Sequence, residues 1–284
     1  MTAAAFLELV RAPAALTVLG DTVAGAGNRP LAGRRLLLPL ASVAFYTSGM
    51  ALNDWADRKL DARERADRPI PSGRIRPGTA LATAIGLTGT GLGIAALAGG
   101  RPALVRAAPL AAAVWAYDTM LKSTPAGPLA MAACRALDVL MGAGPAATRA
   151  AGPAAAAIAG HTLGLTLLSR GEVHGGTAAT ARLAVAGTLA ATGLACAGRA
   201  RSPRHRLAGA AAALGFLGLT ARRQLAAARQ PDPATVRAAT VAGIHGMLPL
   251  QSAIAARTGS FGSAGLLALG LPVAGRLARR VSPS

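Results

Sequence analysis

Apolar residues run along this chain in blocks of about 20, the length a bilayer-spanning helix requires. Short polar stretches separate them. The pattern predicts helices over 4–27, 34–52, 78–99, 102–121, 125–146, 150–169, 178–199, 205–225, 236–257 and 261–278, with 205–225 the weakest block. That makes nine or ten helices, and no gap is long enough for a soluble domain. The expected fold is all-α: a polytopic transmembrane helical bundle, with residues 1–284 as one integral membrane domain.

Composition agrees. Only 14% of the residues are charged and 52% are hydrophobic, with a mean hydropathy of +0.44. An ordinary soluble domain is about 25% charged. The 35 glycines and abundant alanine suit close helix packing in lipid. Glu8, Arg11 and Asp21 interrupt the first block, so it does not read as a secretory signal. Cys134 and Cys196 sit in separate apolar blocks without metal-ligand spacing and read as packing residues.

The net charge of +19 raises the question of nucleic acid. The basic residues lie in short loops between apolar blocks, and aromatics are only 3%, so no nucleic-acid partner is expected. With the N-terminus inside, 18 basic residues fall on the inner face and 11 on the outer. That bias puts the acidic loop described next on the cytoplasmic side. The basic loops would also attract membrane lipid headgroups. High alanine and arginine with only two lysines point to a GC-rich bacterial genome, and so to a bacterial cell membrane.

Five of the 11 acidic residues, Asp54, Asp57, Asp61, Glu64 and Asp67, fall within 14 positions. Carboxylates this close repel one another and resist burial unless cations neutralise them. At offsets of three, four and seven, Asp54, Asp57 and Asp61 share a helix face. An oxygen-only cluster suits Mg²⁺, which takes a few carboxylates plus substrate phosphates. The competing reading is a solvated acidic helix end.

Residues 53–73 read NDWADRKLDARERADRPIPSG. This segment resembles the first signature of the UbiA family of intramembrane prenyltransferases, an NDxxDxxxD helix end followed by an RPLPSG-like loop. Tyr117-Asp118-Thr119-Met120-Leu121-Lys122 resembles the tyrosine-and-lysine end of the family's fourth helix, and Arg11-Ala12-Pro13 its opening arginine–proline. The segments GPLAMAACRALDVLMG and SRGEVHGG resemble a divergent branch encoded in ebo-type operons. The resemblance implies an all-α membrane enzyme that moves a prenyl group from an isoprenyl diphosphate to a small acceptor. Ionisation of the diphosphate would be assisted by Mg²⁺ held on the acidic motifs. The family's second acidic motif is degenerate here: residues 169–177 read SRGEVHGGT, with Glu172 the one carboxylate.

The expected metal ligands are Asp54, Asp57, Asp61 and Glu172, with Asn53 in support. Glu172 with His174, or Arg170 as a fixed cation, would stand in for the second motif. Arg68 is a candidate diphosphate contact, since a guanidinium grips phosphate oxygens in pairs. Lys122 is placed to neutralise the departing diphosphate, and Tyr117 to hydrogen-bond it. Arg135, Asp138 and Asp21 lie inside predicted spans, where ionisable groups are costly and face a cavity or a partner. Asp138 or Asp21 would orient the acceptor or act as its base; Arg135 would contact substrate or close an ion pair.

Three functions fit these residues. The leading one is prenyl transfer. A terpene cyclase would use the same first motif without an acceptor. A non-catalytic isoprenoid-binding scaffold or carrier would explain the degenerate second motif. A transporter fits less well, since no inverted repeat is visible.

Overall fold

The computed structural model describes the backbone of residues 2–281 and side chains as far as residue 272, Pro13 and Ala146 excepted. Among the described residues every regular element is helical. The helices are α1 (Ala3–Leu9), α2 (Leu19–Ala26), α3 (Leu38–Glu64), α4 (Pro77–Ala116), α5 (Gly127–Ala143), α6 (Gly152–Ser169), α7 (Ala178–Cys196), α8 (Pro203–Arg229), α9 (Pro233–Thr258) and α10 (Phe261–Val281).

The first predicted span, 4–27, is not one helix. Arg11 takes a left-handed conformation at φ 46°, and a 3₁₀ segment (Ala12–Thr17) follows before α2 begins. Proline at the start of that segment fixes φ and removes a donor, so the break is local in origin.

Helix α4 needs the opposite correction: its 40 residues form two passes. Gly100 sits at φ 63°, ψ −152°, a region glycine enters without a Cβ clash. The Trp115 indole N–H donates to the Thr88 hydroxyl at 3.0 Å. A straight helix would hold those residues about 40 Å apart. The chain therefore reverses at Gly100, and the predicted pair 78–99 and 102–121 stands. Thr88 also bonds Ser48 of α3 at 2.7 Å, tying three passes together.

The helices run up and down. Loops 65–76, 122–126, 170–177 and 230–232 gather at one end. There Lys122 meets Asp57, Arg170 meets the carbonyls of Lys122 and Thr124, and Arg237 meets the Glu172 carbonyl. At the opposite end Arg35 donates to the Gly142 carbonyl, and the Arg201 backbone N–H to the Arg257 carbonyl. Asp232 caps α9 by accepting from the N–H groups of Ala234 and Thr235, and those bonds hold its carboxyl below the usual carboxylate range.

Small residues set the packing. At Gly25 a Cβ would lie 1.8 Å from the Val139 carbonyl oxygen, and at Gly142 it would lie 2.0 Å from that of Thr22. Helices α2 and α5 therefore touch backbone to backbone, as bundles in lipid do. Four stretches, Ala3–Ala26, Gly33–Glu64, Pro77–Leu121 and Ala178–Cys196, are long and apolar enough to cross a membrane.

Candidate active site

The acidic motif occupies the last three turns of α3. Seven residues advance a helix about 700°, which leaves Asp61 nearly above Asp54; three advance it about 300°, which leaves Asp57 some 60° round the helix. The partners follow that geometry. Arg68, from the loop after α3, donates to Asp54 at 3.0 Å and to Asp61 at 3.1 Å. Asp57 turns to Lys122, whose Nζ lies 2.7 Å away. Arg11 reaches Asp54 at 3.4 Å and Arg65 reaches Asp61 at 3.9 Å.

The expected trio of carboxylates is thus divided among cations, Arg68, Lys122 and Arg11 at close range and Arg65 farther off. Among the described residues no three of His, Cys, Asp and Glu surround one point closely enough to hold a metal. Arg68, expected on phosphate, bridges two carboxylates here.

The second motif is built differently from the sequence expectation. Residues Tyr117–Leu121 form a single π-type turn, closed by the Lys122 N–H on the Tyr117 carbonyl at 2.9 Å. Such turns are rare and recur at functional sites. This one buries Asp118, which accepts from the Asn53 amide at 3.2 Å. Asp118 and Arg11 are site residues that sequence reasoning missed. Both stood inside segments already singled out; neither had a spacing that set it apart.

A cavity of about 470 Å³ opens beside this cluster. Its mouth carries Arg11, Asn53, Tyr117, Asp118 and Glu172, and its walls carry Phe45, Tyr46, Met50, Val114, Met131 and Leu165. Ser42 and Asp138 line the far end, where the Ser42 hydroxyl donates to the Asp138 carboxylate. Asn53 and Ser42 are eleven residues apart on α3, so the cavity is about 16 Å deep.

Asp138 faces the end of the cavity remote from the acidic cluster. Arg135, also in the wall, pairs with Asp21 at 3.0 Å and donates to the Thr17 carbonyl at 3.0 Å; the Gln251 amide donates to the same two residues. Arg135 thus closes an ion pair and lines the cavity as well. Arg170, expected as a fixed cation, is exposed and ties two loops together through the carbonyls of Lys122 and Thr124; the Thr124 carbonyl also accepts from the Gly127 N–H at 3.1 Å. His174 is exposed.

Four carboxylates (Asp54, Asp57, Asp61 and Asp118) face three close cations, so the cluster itself carries no surplus of positive charge. A diphosphate could approach only with added cations. The donors are hard oxygens, and Mg²⁺ is commonly held by one or two carboxylates plus substrate phosphates rather than by an all-protein cage. The residues present fit that ion.

An all-helical bundle with an acid–cation cluster at the mouth of a deep, apolar-walled cavity defines the class: a helical membrane protein with a charged site at one end of an apolar cavity. The model of the UbiA prenyltransferase family matches residues 14–248, and the chain belongs to that family. It is an integral membrane protein. It is 39% identical over 126 residues to the digeranylgeranylglyceryl phosphate synthase of Methanopyrus kandleri, a match covering 43% of this chain and 45% of that protein. Over 62 residues it is 45% identical to a 4-hydroxybenzoate octaprenyltransferase of Pseudomonas putida, 21% of each chain. The matches thus span less than half of either relative's length. The fold resembles a UbiA homologue from Aeropyrum pernix (TM-score 0.64, 18% identity, 85% of this chain and 96% of that one). It also resembles a UbiA homologue from Archaeoglobus fulgidus bound to GPP and Mg²⁺ (TM-score 0.61, 13% identity, 88% of this chain and 99% of that one).

Proposed function

We propose that this chain is a Mg²⁺-dependent membrane prenyltransferase that moves an isoprenyl group from its diphosphate to a small acceptor. The observation that carries the reading is the cluster of four carboxylates and three cations at the mouth of the 470 Å³ cavity. The named relatives act on prenyl substrates of this kind, and an Archaeoglobus fulgidus homologue is described as bound to GPP and Mg²⁺.

One or two of Asp54, Asp57, Asp61 and Asp118 would hold the metal beside the diphosphate oxygens, with Glu172 a further oxygen at the mouth. The metal would supply positive charge to the diphosphate as the C1–O bond breaks. Lys122, Arg68 and Arg11 are already at the cluster, and their donors would turn from carboxylate to phosphate oxygens as that charge develops. Asn53 keeps Asp118 oriented. Tyr117 offers a hydroxyl at the mouth, and the aromatic faces of Phe45 and Tyr46 line the path of an allylic cation. The electron pair of the broken bond leaves on the diphosphate; the acceptor supplies a new pair to C1 and gives up a proton. On this reading the acidic loops face the cytoplasm.

A second reading has a specific observation behind it. Loop 170–177 offers one carboxylate, Glu172, and its arginine is engaged on carbonyls. A protein that binds isoprenyl diphosphate without ionising it would need no more.

Pyrophosphate release separates the two. The purified protein would be given geranyl, farnesyl and geranylgeranyl diphosphates with Mg²⁺ and an acceptor extract. Transfer predicts release that falls about 100-fold or more in Asp54→Ala and Asp57→Ala, the scale of several kcal/mol of metal charge stabilisation. Saturable Mg²⁺-dependent binding without release from any donor would overturn transfer in favour of the carrier.

A further inference from the structure

The eleven carboxylates are distributed very unevenly. Nine lie at the acidic end, and Asp21 and Asp138 lie inside the bundle. The opposite end carries eleven arginines (29, 34, 35, 101, 106, 149, 199, 201, 204, 206 and 257) and no Asp or Glu. Like charges gathered without counter-ions repel, so this end requires anions from elsewhere.

One place there is shaped to receive them. A cavity of about 320 Å³ lies where the loop after α7 meets the start of α8 and the last turn of α9. Gly198, Arg199, Ser202, Arg206 and Arg257 are among its lining residues. Arg257 is only 8% exposed. Its Nε donates to the Ala197 carbonyl at 3.0 Å and its Nη2 to the Gly198 carbonyl, which fixes the guanidinium plane in the cavity wall. Its Nη1 makes no hydrogen bond to the protein among the described residues. Arg199 and Arg206 are exposed and have neither an ion pair nor a side-chain to main-chain bond there.

The start of α8 adds a separate contribution. This helix is 27 residues long, and the Ser202 side chain does not cap it. Ser202 instead hydrogen-bonds His205 at 2.8 Å. Pro203 has no N–H, so the N–H groups left without side-chain acceptors are those of Arg204 and His205, next in sequence to the lining residues Ser202 and Pro203, with the positive end of the helix dipole behind them.

We propose that this cavity is a phosphate-binding site, placed to hold the phosphate of an anionic lipid headgroup in the leaflet opposite the acidic cluster. A fixed guanidinium, two mobile ones and an uncapped helix start match a group that offers several acceptor oxygens and negative charge. The position fits a lipid: the loop lies at one end of apolar helices, level with headgroups. The site is independent of the acidic cluster and stands whether or not that cluster catalyses.

The test uses the whole protein in detergent. Its Tm is followed while phosphatidylglycerol, phosphatidylcholine or inorganic phosphate is titrated in, for the wild type and for Arg199→Gln/Arg206→Gln. Lys59→Gln/Arg63→Gln, with two exposed cations of the acidic end, is the control. Arg257 is left intact because it holds the loop. The expected result is saturable stabilisation by phosphatidylglycerol over phosphatidylcholine. It should weaken roughly 30-fold in the Arg199/Arg206 variant, about 1 kcal/mol for each arginine, and stay unchanged in the control. Stabilisation by inorganic phosphate with the same arginine dependence, and none by the lipid, would support the phosphate site and overturn the lipid as its source. Equal responses of the variant and the wild type would overturn the site.

Discussion

Arg68→Gln probes the acidic cluster most directly. Arg68 is 20% exposed by side chain and bridges Asp54 and Asp61, both nearly buried, at 3.0 and 3.1 Å. A hydrogen bond to a charged group contributes about 1.5–3 kcal/mol net. Arg11 at 3.4 Å and Arg65 at 3.9 Å remain after the substitution, so the lower figure applies. Two bonds then amount to about 3 kcal/mol. Electrostatics gives the same order: one Arg68 nitrogen touches both carboxylates, so their oxygens lie within about 6 Å of each other and repel by roughly 2.8 kcal/mol at an effective dielectric of 20. At about 2–4 °C per kcal/mol the Tm should fall by about 6–12 °C. Circular dichroism in detergent measures this. Mg²⁺ then asks whether these carboxylates bind the metal. At a hundredfold excess over its Kd a ligand adds about 2.7 kcal/mol, so Mg²⁺ should restore most of the loss. It should do little for Arg68→Gln combined with Asp54→Asn and Asp61→Asn. A Tm within about 2 °C of wild type, or a Mg²⁺ response of equal size in the triple variant, would refute the reasoning.

Arg135→Met should cost about 3–5 kcal/mol, because it leaves Asp21 buried without its cation. The double variant Asp21→Leu/Arg135→Met should recover most of that in the same thermal assay. Gly142→Ala would place a Cβ 2.0 Å from the Thr22 carbonyl oxygen; overpacking of this kind costs about 1–3 kcal/mol, whereas Gly86→Ala, with open space around it, should not lower the Tm. Asp232→Ala should lower the Tm at neutral pH by uncapping α9. The folded pKa of Asp232 is depressed, so the cap is fully present above the unfolded value near 4 and is lost as pH falls through the lower folded value. The difference between variant and wild type should therefore vanish in acid.

The sequence alone determined the class of this protein and where its acidic cluster lies. Apolar blocks of membrane length leave few alternatives to helices, because backbone groups in lipid must be satisfied within the segment. The turn at Gly100 was legible for the same reason: the blocks on either side are each one bilayer long. The dense carboxylates of residues 54–61 marked the acidic end of α3, since charge that close has to be compensated. Tertiary structure decided which cation compensates which carboxylate. Arg68 comes from the following loop, Lys122 from beyond α4 and Arg11 from the broken first span, and no local spacing encodes those meetings. Asp118 became a site residue only because a π-type turn buried it against Asn53. Asp138 stood out as ionisable within a span, but its distance from the acidic cluster is set between helices and no sequence spacing records it. The arginine-lined cavity at the other end joins residues 198–206 to Arg257, and only the packing of α8 on α9 brings them together. Periodicity records how each helix meets lipid or water; it does not record which faces of different helices come to share a cavity.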